Sequence, residues 1–222
     1  MQRSFFRKIL TGGHMKDILK DKKCIGIMGG TFNPVHNGHI LMAKSAYEQF
    51  DDMEKVIFLP NNQPKYKETK DIVAPEHRVN MLNIALKECD FACVSDMEIK
   101  RGGITYTYDT LTEILNYNPA LQIYYIIGSD SLKSFASWYR YKDVLSMCTL
   151  LCACRDNDRK IIKSVGDELL KDSQCGRIEY ITMAEYDAAS SDIRRDIAKG
   201  YMPSEILPAG VPDYILKNNL YG

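Results

Sequence analysis

Two histidines, His36 and His39, close the run Gly29-Gly30-Thr31-Phe32-Asn33-Pro34-Val35-His36-Asn37-Gly38-His39. Ring nitrogens three residues apart can meet on one anion, and an ordinary imidazole pKa near 6.5 lets the surroundings choose their charge. Gly29 and Gly30 allow a backbone to approach a ligand closely, and the free amides of a helix start favour phosphate. A second group, Ser190-Ser191-Asp192-Ile193-Arg194, places hydroxyls just before a helix and Arg194 on its first turn. A cation there opposes the helix macrodipole unless an anion compensates it. Both groups therefore point to phosphate chemistry. Each also has an ordinary reading: His39 as a helix cap, and Ser-Ser-Asp as a cap with Arg194 solvated.

Such groups need a scaffold that brings them together. Short apolar runs at Cys24–Met28, Lys55–Pro60, Ala92–Ser95, Gln122–Ile127, Met147–Ala153 and Arg177–Thr182 read as strands. Helical stretches fall between them near 38–50, 74–89, 107–117, 138–146 and 161–172. That alternation predicts an α/β protein with a doubly wound, mostly parallel sheet and right-handed crossovers. Ligands of open α/β sheets gather at the carboxyl ends of the strands. Gly29–His39, Pro60–Lys67 and Gly128–Asp130 all follow predicted strands and can meet at that edge. The polar stretch Asn61 to Asp71 reads as the longest loop.

A chain of 222 residues suffices for one domain with a real core. Lys+Arg and Asp+Glu both total 29, so no broad electrostatic surface for nucleic acid is expected. Seven cysteines are scattered without zinc-site spacing. Cys152 and Cys154 would share one face of a strand and read, with Cys148, as small buried hydrophobes in a reducing compartment. No run approaches the length of a membrane span, and a cytoplasmic protein is expected. Residues 1–22 read as an extension of open origin (a leader, a mistaken start with Met15 as the alternative, or a native segment), and residues 23–222 as a single domain with a C-terminal helical part.

The histidine run resembles the (T/H)xGH signature of the nucleotidylyltransferases, in the form GGTFxPxHxGH of bacterial nicotinate-nucleotide adenylyltransferases. Pro60-Asn61-Asn62-Gln63-Pro64-Lys65-Tyr66-Lys67 is similar to their PNxxPPHK loop, and His77-Arg78-Val79-Asn80-Met81-Leu82 to their HRxxML helix. Gly103-Ile104-Thr105-Tyr106-Thr107-Tyr108-Asp109-Thr110 resembles GxSYTxDT. Ile126-Ile127-Gly128-Ser129-Asp130, followed by Trp138, resembles IIGAD…W, and Ala189-Ser190-Ser191-Asp192-Ile193-Arg194 resembles SSTxIR. Leu207-Pro208 and a last helix ending Asn219-Leu220-Tyr221 are similar to the family's C-terminus. The matches keep the family's order from about Lys23 to Tyr221. Departures are Ala189 for a serine, Ser191 for a threonine, Tyr66 for a histidine and Lys65 for a proline.

The resemblance implies a Rossmann-like nucleotidylyltransferase that joins AMP from ATP to nicotinate mononucleotide, releasing pyrophosphate, in NAD biosynthesis. Such a transfer needs charge placed rather than a protein nucleophile. On this reading Gly29, Gly30, Thr31, Phe32, His36 and His39 hold ATP, with His36, His39 and Arg194 stabilising the transition state. Ser190, Ser191, Arg194 and Lys67 reach phosphates, and Gly128 and Asp130 reach ribose and adenine; Asp130 could equally cap a helix, and Lys67 could be a solvated charge. Tyr106, Thr107 and Trp138 receive the acceptor nucleotide, although a lone tryptophan is also ordinary core. Mg²⁺ is expected as the ATP complex, with no dedicated protein metal site. No nucleic-acid or membrane partner is expected, and a homo-oligomer stays open. Nicotinamide mononucleotide or phosphopantetheine as acceptor, or a non-catalytic nucleotide-binding protein, are the alternatives; the last would be expected to have lost His36, His39 or Arg194.

Overall fold

The computed structural model describes residues 15–64, 71–154, 158–171, 176–184 and 186–222. Its strands are β1 (Cys24–Gly30), β2 (Val56–Pro60), β3 (Gln63–Pro64), β4 (Ala92–Val94), β5 (Ile104–Thr105), β6 (Gln122–Gly128), β7 (Thr149–Cys154) and β8 (Arg177–Thr182). Helices α1 (Met15–Ile18), α2 (Asn37–Gln49), α3 (Pro75–Ala85), α4 (Met97–Arg101) and α5 (Thr107–Tyr117) belong to the first half. Helices α6 (Ser129–Lys133), α7 (Tyr141–Met147), α8 (Arg159–Lys171), α9 (Ser190–Ala198) and α10 (Val211–Lys217) follow.

Six strands make one parallel sheet in the order β4-β2-β1-β6-β7-β8, and β3 pairs with β5 in a separate parallel ribbon. From β1 the chain winds outward through β2 and β4, then returns to the other side of β1 for β6, β7 and β8. The winding thus reverses between β1 and β6, and a crevice opens past their carboxyl ends. The doubly wound, mostly parallel sheet is as the sequence predicts.

Alternation along each strand builds a core on either face. Ile25, Ile27, Ile57, Leu59, Ile123, Tyr125, Leu150 and Cys152 pack on one side. Met28, Val56, Phe58, Ile126, Leu151 and Ala153 pack on the other. Strands covered on both faces read as continuous apolar runs, which is why the sequence exposes them so plainly. Cys148, Cys152 and Cys154 are buried in the first core as thiols. Burial pushes the Cys148 and Cys152 thiols up to about 12, so they stay neutral packing groups. Met15 and Leu19, which the sequence placed with the N-terminal extension, are buried in that same core.

Several expectations need correcting. The helix expected at 138–146 starts only at Tyr141, because a 3-10 turn over Phe135–Ser137 and a left-handed Arg140 (φ 53°) precede it. Trp138 therefore sits in extended backbone. The last helix stops at Lys217 rather than running through Tyr221, since Asn219 and Tyr221 adopt φ of 50° and 70°. Helices α4 and α6 have five residues each, too few for a periodic signal. Among the described residues no helix is long and apolar enough to cross a membrane.

Candidate active site

β1 ends in Gly29-Gly30, and the sheet leaves no room there for a side chain. A Cβ on Gly29 would meet the Tyr125 hydroxyl, and one on Gly30 would lie 2.9 Å from the Phe32 ring. Phe32 takes a left-handed φ of 49° and buries its ring against Phe58 and His39. Its side chain is thus core, and only its setting contributes to the cradle. Gly29→Ala is expected to cost about 1–3 kcal/mol of stability, because the buried Tyr125 cannot swing away freely; the shift of the urea midpoint measures it.

His36 and His39 sit at the start of α2, His36 as N-cap and His39 in the first turn. His36 N–H donates to His39 Nδ1 at 3.2 Å. The rings lie 3.7 Å apart and 33° from parallel, and Phe32 meets His39 edge-on at 5.1 Å. With Nδ1 accepting, the proton of a neutral His39 belongs on Nε2. The cap reading is thus met, and the cap fixes the tautomer. His36 is 7 % exposed, and burial lowers its pKa from 6.5 to about 4. Below pH 6.5 the unfolded chain binds a proton on His36 that the folded protein refuses, so this contribution to stability is lost as the pH falls towards about 4. His36→Gln should therefore reduce the decline in stability between pH 7 and 4.5 by about 2–3 kcal/mol, read as paired urea unfolding curves.

Helix α9 brings the second motif to the first. Arg194 Nη1 donates to the Asn33 carbonyl at 2.9 Å, and Ser190 Oγ to the Pro34 carbonyl at 2.9 Å. The N-cap of α9 is Ala189, without a side-chain cap bond. The expected serine cap is thus not made: Ser190 turns its hydroxyl to the β1–α2 loop instead. Arg194 is the fifth residue of α9, past the first turn. Asn33, 3 % exposed, ties the loop further, donating to the Asp71 carbonyl at 2.8 Å and accepting from the Tyr221 hydroxyl at 2.9 Å. Arg78, fully buried on α3, donates to the carbonyls of Thr31 at 2.9 Å and Asn62 at 3.3 Å.

Across the crevice, Tyr106 is the N-cap residue of α5 and Thr107 its first residue. Thr107 Oγ1 lies 3.3 Å from the Tyr125 hydroxyl. Trp138 packs on Phe135 at 4.8 Å and meets Tyr125 edge-on at 6.2 Å, while Tyr106 stacks on Tyr139 at 4.7 Å. Gly128 ends β6 and is the N-cap of α6, so Asp130 is not a cap; its carboxylate is 96 % exposed beside Lys133.

One cleft of about 840 Å³ is lined by Gly29, Gly30, Thr31, Phe32, His36, His39, Tyr106, Thr107, Gly128, Asp130, Trp138, Ser190, Ser191 and Arg194 together. Lys67 lies outside the described residues. The same wall includes Asn61, Glu98, Tyr125 and Tyr139, which sequence reasoning missed. Tyr125 is hidden in the apolar run of β6, and Glu98 in a helix too short to announce itself. An anion held between His36, His39, Ser190 and Arg194, and a planar ring near Trp138 and Tyr106, are what such a cleft can accept.

Residues 27–196 match the cytidylyltransferase-like family model. A nicotinate-nucleotide adenylyltransferase of Lachnoclostridium phytofermentans is 36% identical over 89% of this chain and 98% of its own length. One of Streptococcus mutans is 32% identical over 97% of this chain and 96% of its own. In structure, the nicotinic acid mononucleotide adenylyltransferase of Plasmodium falciparum, solved with NaAD, aligns with a TM-score of 0.72 at 23% identity, over 90% of this chain and 97% of that one. That likeness shows the same fold. By sequence likeness along nearly its whole length, the chain belongs to the nicotinate-nucleotide adenylyltransferase family.

Proposed function

We propose that the protein transfers AMP from ATP to nicotinate mononucleotide, giving deamido-NAD and pyrophosphate for NAD biosynthesis. The observation that carries this reading is the convergence of the two histidines, the α9 start and the Tyr106–Trp138 wall on one cleft. The acceptor's phosphate oxygen attacks the α-phosphorus, and the bond to the β-phosphate breaks. Negative charge grows on the bridging oxygen as pyrophosphate leaves.

His39 Nε2–H and Arg194 meet that charge, and His36, neutral before substrate arrives, gains affinity for a proton beside an anion. The backbone of Gly29 to Thr31 approaches the phosphates, with Ser190 and Ser191 supplying hydroxyl and amide donors. Gly128 and Asp130 contact the adenosine, Lys67 reaches a phosphate, and Phe32 acts by holding His39. The pyridine ring rests on Trp138, with Tyr106 and Thr107 at its carboxylate.

Mg²⁺ brought by ATP would be held by phosphate oxygens and water rather than by side chains, and would supply charge neutralisation for the departing pyrophosphate. The cleft's imidazoles, hydroxyls and guanidinium suit phosphate oxygens. A cytoplasmic setting, where ATP and reduced thiols coexist, fits this role.

Pyrophosphate release with ATP and Mg²⁺ tests the reading, with nicotinate and nicotinamide mononucleotides compared at matched concentrations. Faster release with the nicotinate form is expected. Equal rates would undo the acceptor assignment, and silence with both would undo the reaction.

A further inference from the structure

Glu98 is a carboxyl that the transfer as derived does not use. It is 3 % exposed on α4, yet it lines the cleft together with Tyr106 and Thr107. Oε1 accepts a hydrogen bond from Thr110 Oγ1 at 2.7 Å, and that hydroxyl also lies 3.3 Å from the Tyr106 carbonyl. Thr110 is the fourth residue of α5, so the carboxyl lies beside the first turn of that helix. This is the helix start to which the ring carboxylate of the acceptor is assigned.

The groups around Glu98 are few. Arg101 of its own helix directs its guanidinium at Thr110 (2.8 Å) and at Glu113 of α5 (3.1 Å). Arg78 acts on it from α3, Glu113 from α5 and Tyr125 from β6. Burial outweighs the Thr110 hydrogen bond and the two arginines and pushes the carboxyl up to about 7. Near neutral pH both of its forms are therefore present.

We propose that Glu98 determines the choice between acid and amide acceptors: it takes up a proton from solvent when a nucleotide with a ring carboxylate binds, and none when the neutral ring amide binds. The inference rests on the acceptor reading above. Two carboxylates at one helix start in a poorly solvated wall repel, and protonating Glu98 turns that repulsion into a donor for the ligand. By linkage, affinity for the acid nucleotide then falls as the pH rises through the Glu98 pKa, by at most about tenfold per pH unit. Both acceptors carry the same phosphate and meet the same ATP. The ratio of their constants therefore cancels the titration of everything they share.

The test measures KM for nicotinate mononucleotide and the competitive Ki of nicotinamide mononucleotide from pH 6 to 9, in the wild type and in Glu98→Gln. The glutamine keeps an acceptor for Thr110 but cannot ionise. The expected KM-to-Ki ratio rises about tenfold or more over this range in the wild type and stays low and flat in Glu98→Gln. A flat wild-type ratio, or an equal rise in the variant, overturns the proposal while leaving the reaction intact. Absence of turnover with the nicotinate form would instead strike the reading of function. Calorimetry of the wild type needs no variant: at pH 8, binding heats in phosphate and Tris buffers should reveal close to one proton more taken up with the acid than with the amide nucleotide. Equal uptake would overturn the proposal.

Discussion

Replacing His39 with alanine is expected to lower kcat by about 10²–10⁴-fold with a modest change in KM for ATP. His39 is held on three sides: Nδ1 by the His36 amide at 3.2 Å, one face by the His36 ring at 3.7 Å, and its edge by Phe32 at 5.1 Å. A ring so fixed loses no orientation when charge develops opposite Nε2–H, which is what transition-state stabilisation requires. The alanine variant also loses the amide cap, at about 1 kcal/mol of stability. His39→Gln separates the two roles, because glutamine at this helix position closes a capping box without supplying an imidazole. It should unfold at nearly the wild-type urea midpoint and still turn over about 10²-fold or more slowly. Wild-type turnover in His39→Gln would reduce His39 to a cap.

Arg78→Met is expected to destabilise the protein by about 2–4 kcal/mol and to raise KM for ATP several-fold. Methionine fills much of the same volume and removes a buried charge, so the loss does not come from packing. It comes from the carbonyls of Thr31 and Asn62, which Arg78 holds at 2.9 and 3.3 Å, and from Asn61 Oδ1 at 3.4 Å. These groups join the loop after β1 to the loop after β2, so the phosphate cradle should slacken with them. Burial already lowers the guanidinium pKa, a sign that the arginine is retained against a desolvation cost. Urea unfolding and ATP saturation curves check the two effects separately. An unchanged KM in a destabilised variant would confine Arg78 to the fold.

The order of the motifs was readable because each carries its own local physics. Gly29 and Gly30 stand where a Cβ would strike Tyr125 and Phe32, and His36 and His39 open a helix. The apolar strands are buried on both faces and so need no partner to be recognised. The sequence was less informative where a partner distant in the chain decides. Ser190 looked like a helix cap, but the Pro34 carbonyl, brought near by the sheet, takes its hydroxyl at 2.9 Å. Trp138 looked helical, but the Phe135–Ser137 turn and its contact with Phe135 set it in extended backbone.

Glu98 marks the boundary between the two kinds of knowledge. As one charged residue in a short polar helix it carries no periodic or motif signal. Only the fold buries it, setting it beside Thr110 of α5 and near Arg78 of α3 and Tyr125 of β6, and turns it into part of the cleft wall. Residue types and spacing determined the α/β class, the phosphate chemistry and the family, because those depend on backbone geometry within a few residues. The tertiary structure decided which groups share a cavity and how each is charged, because desolvation and hydrogen-bond partners depend on chain segments far apart in sequence.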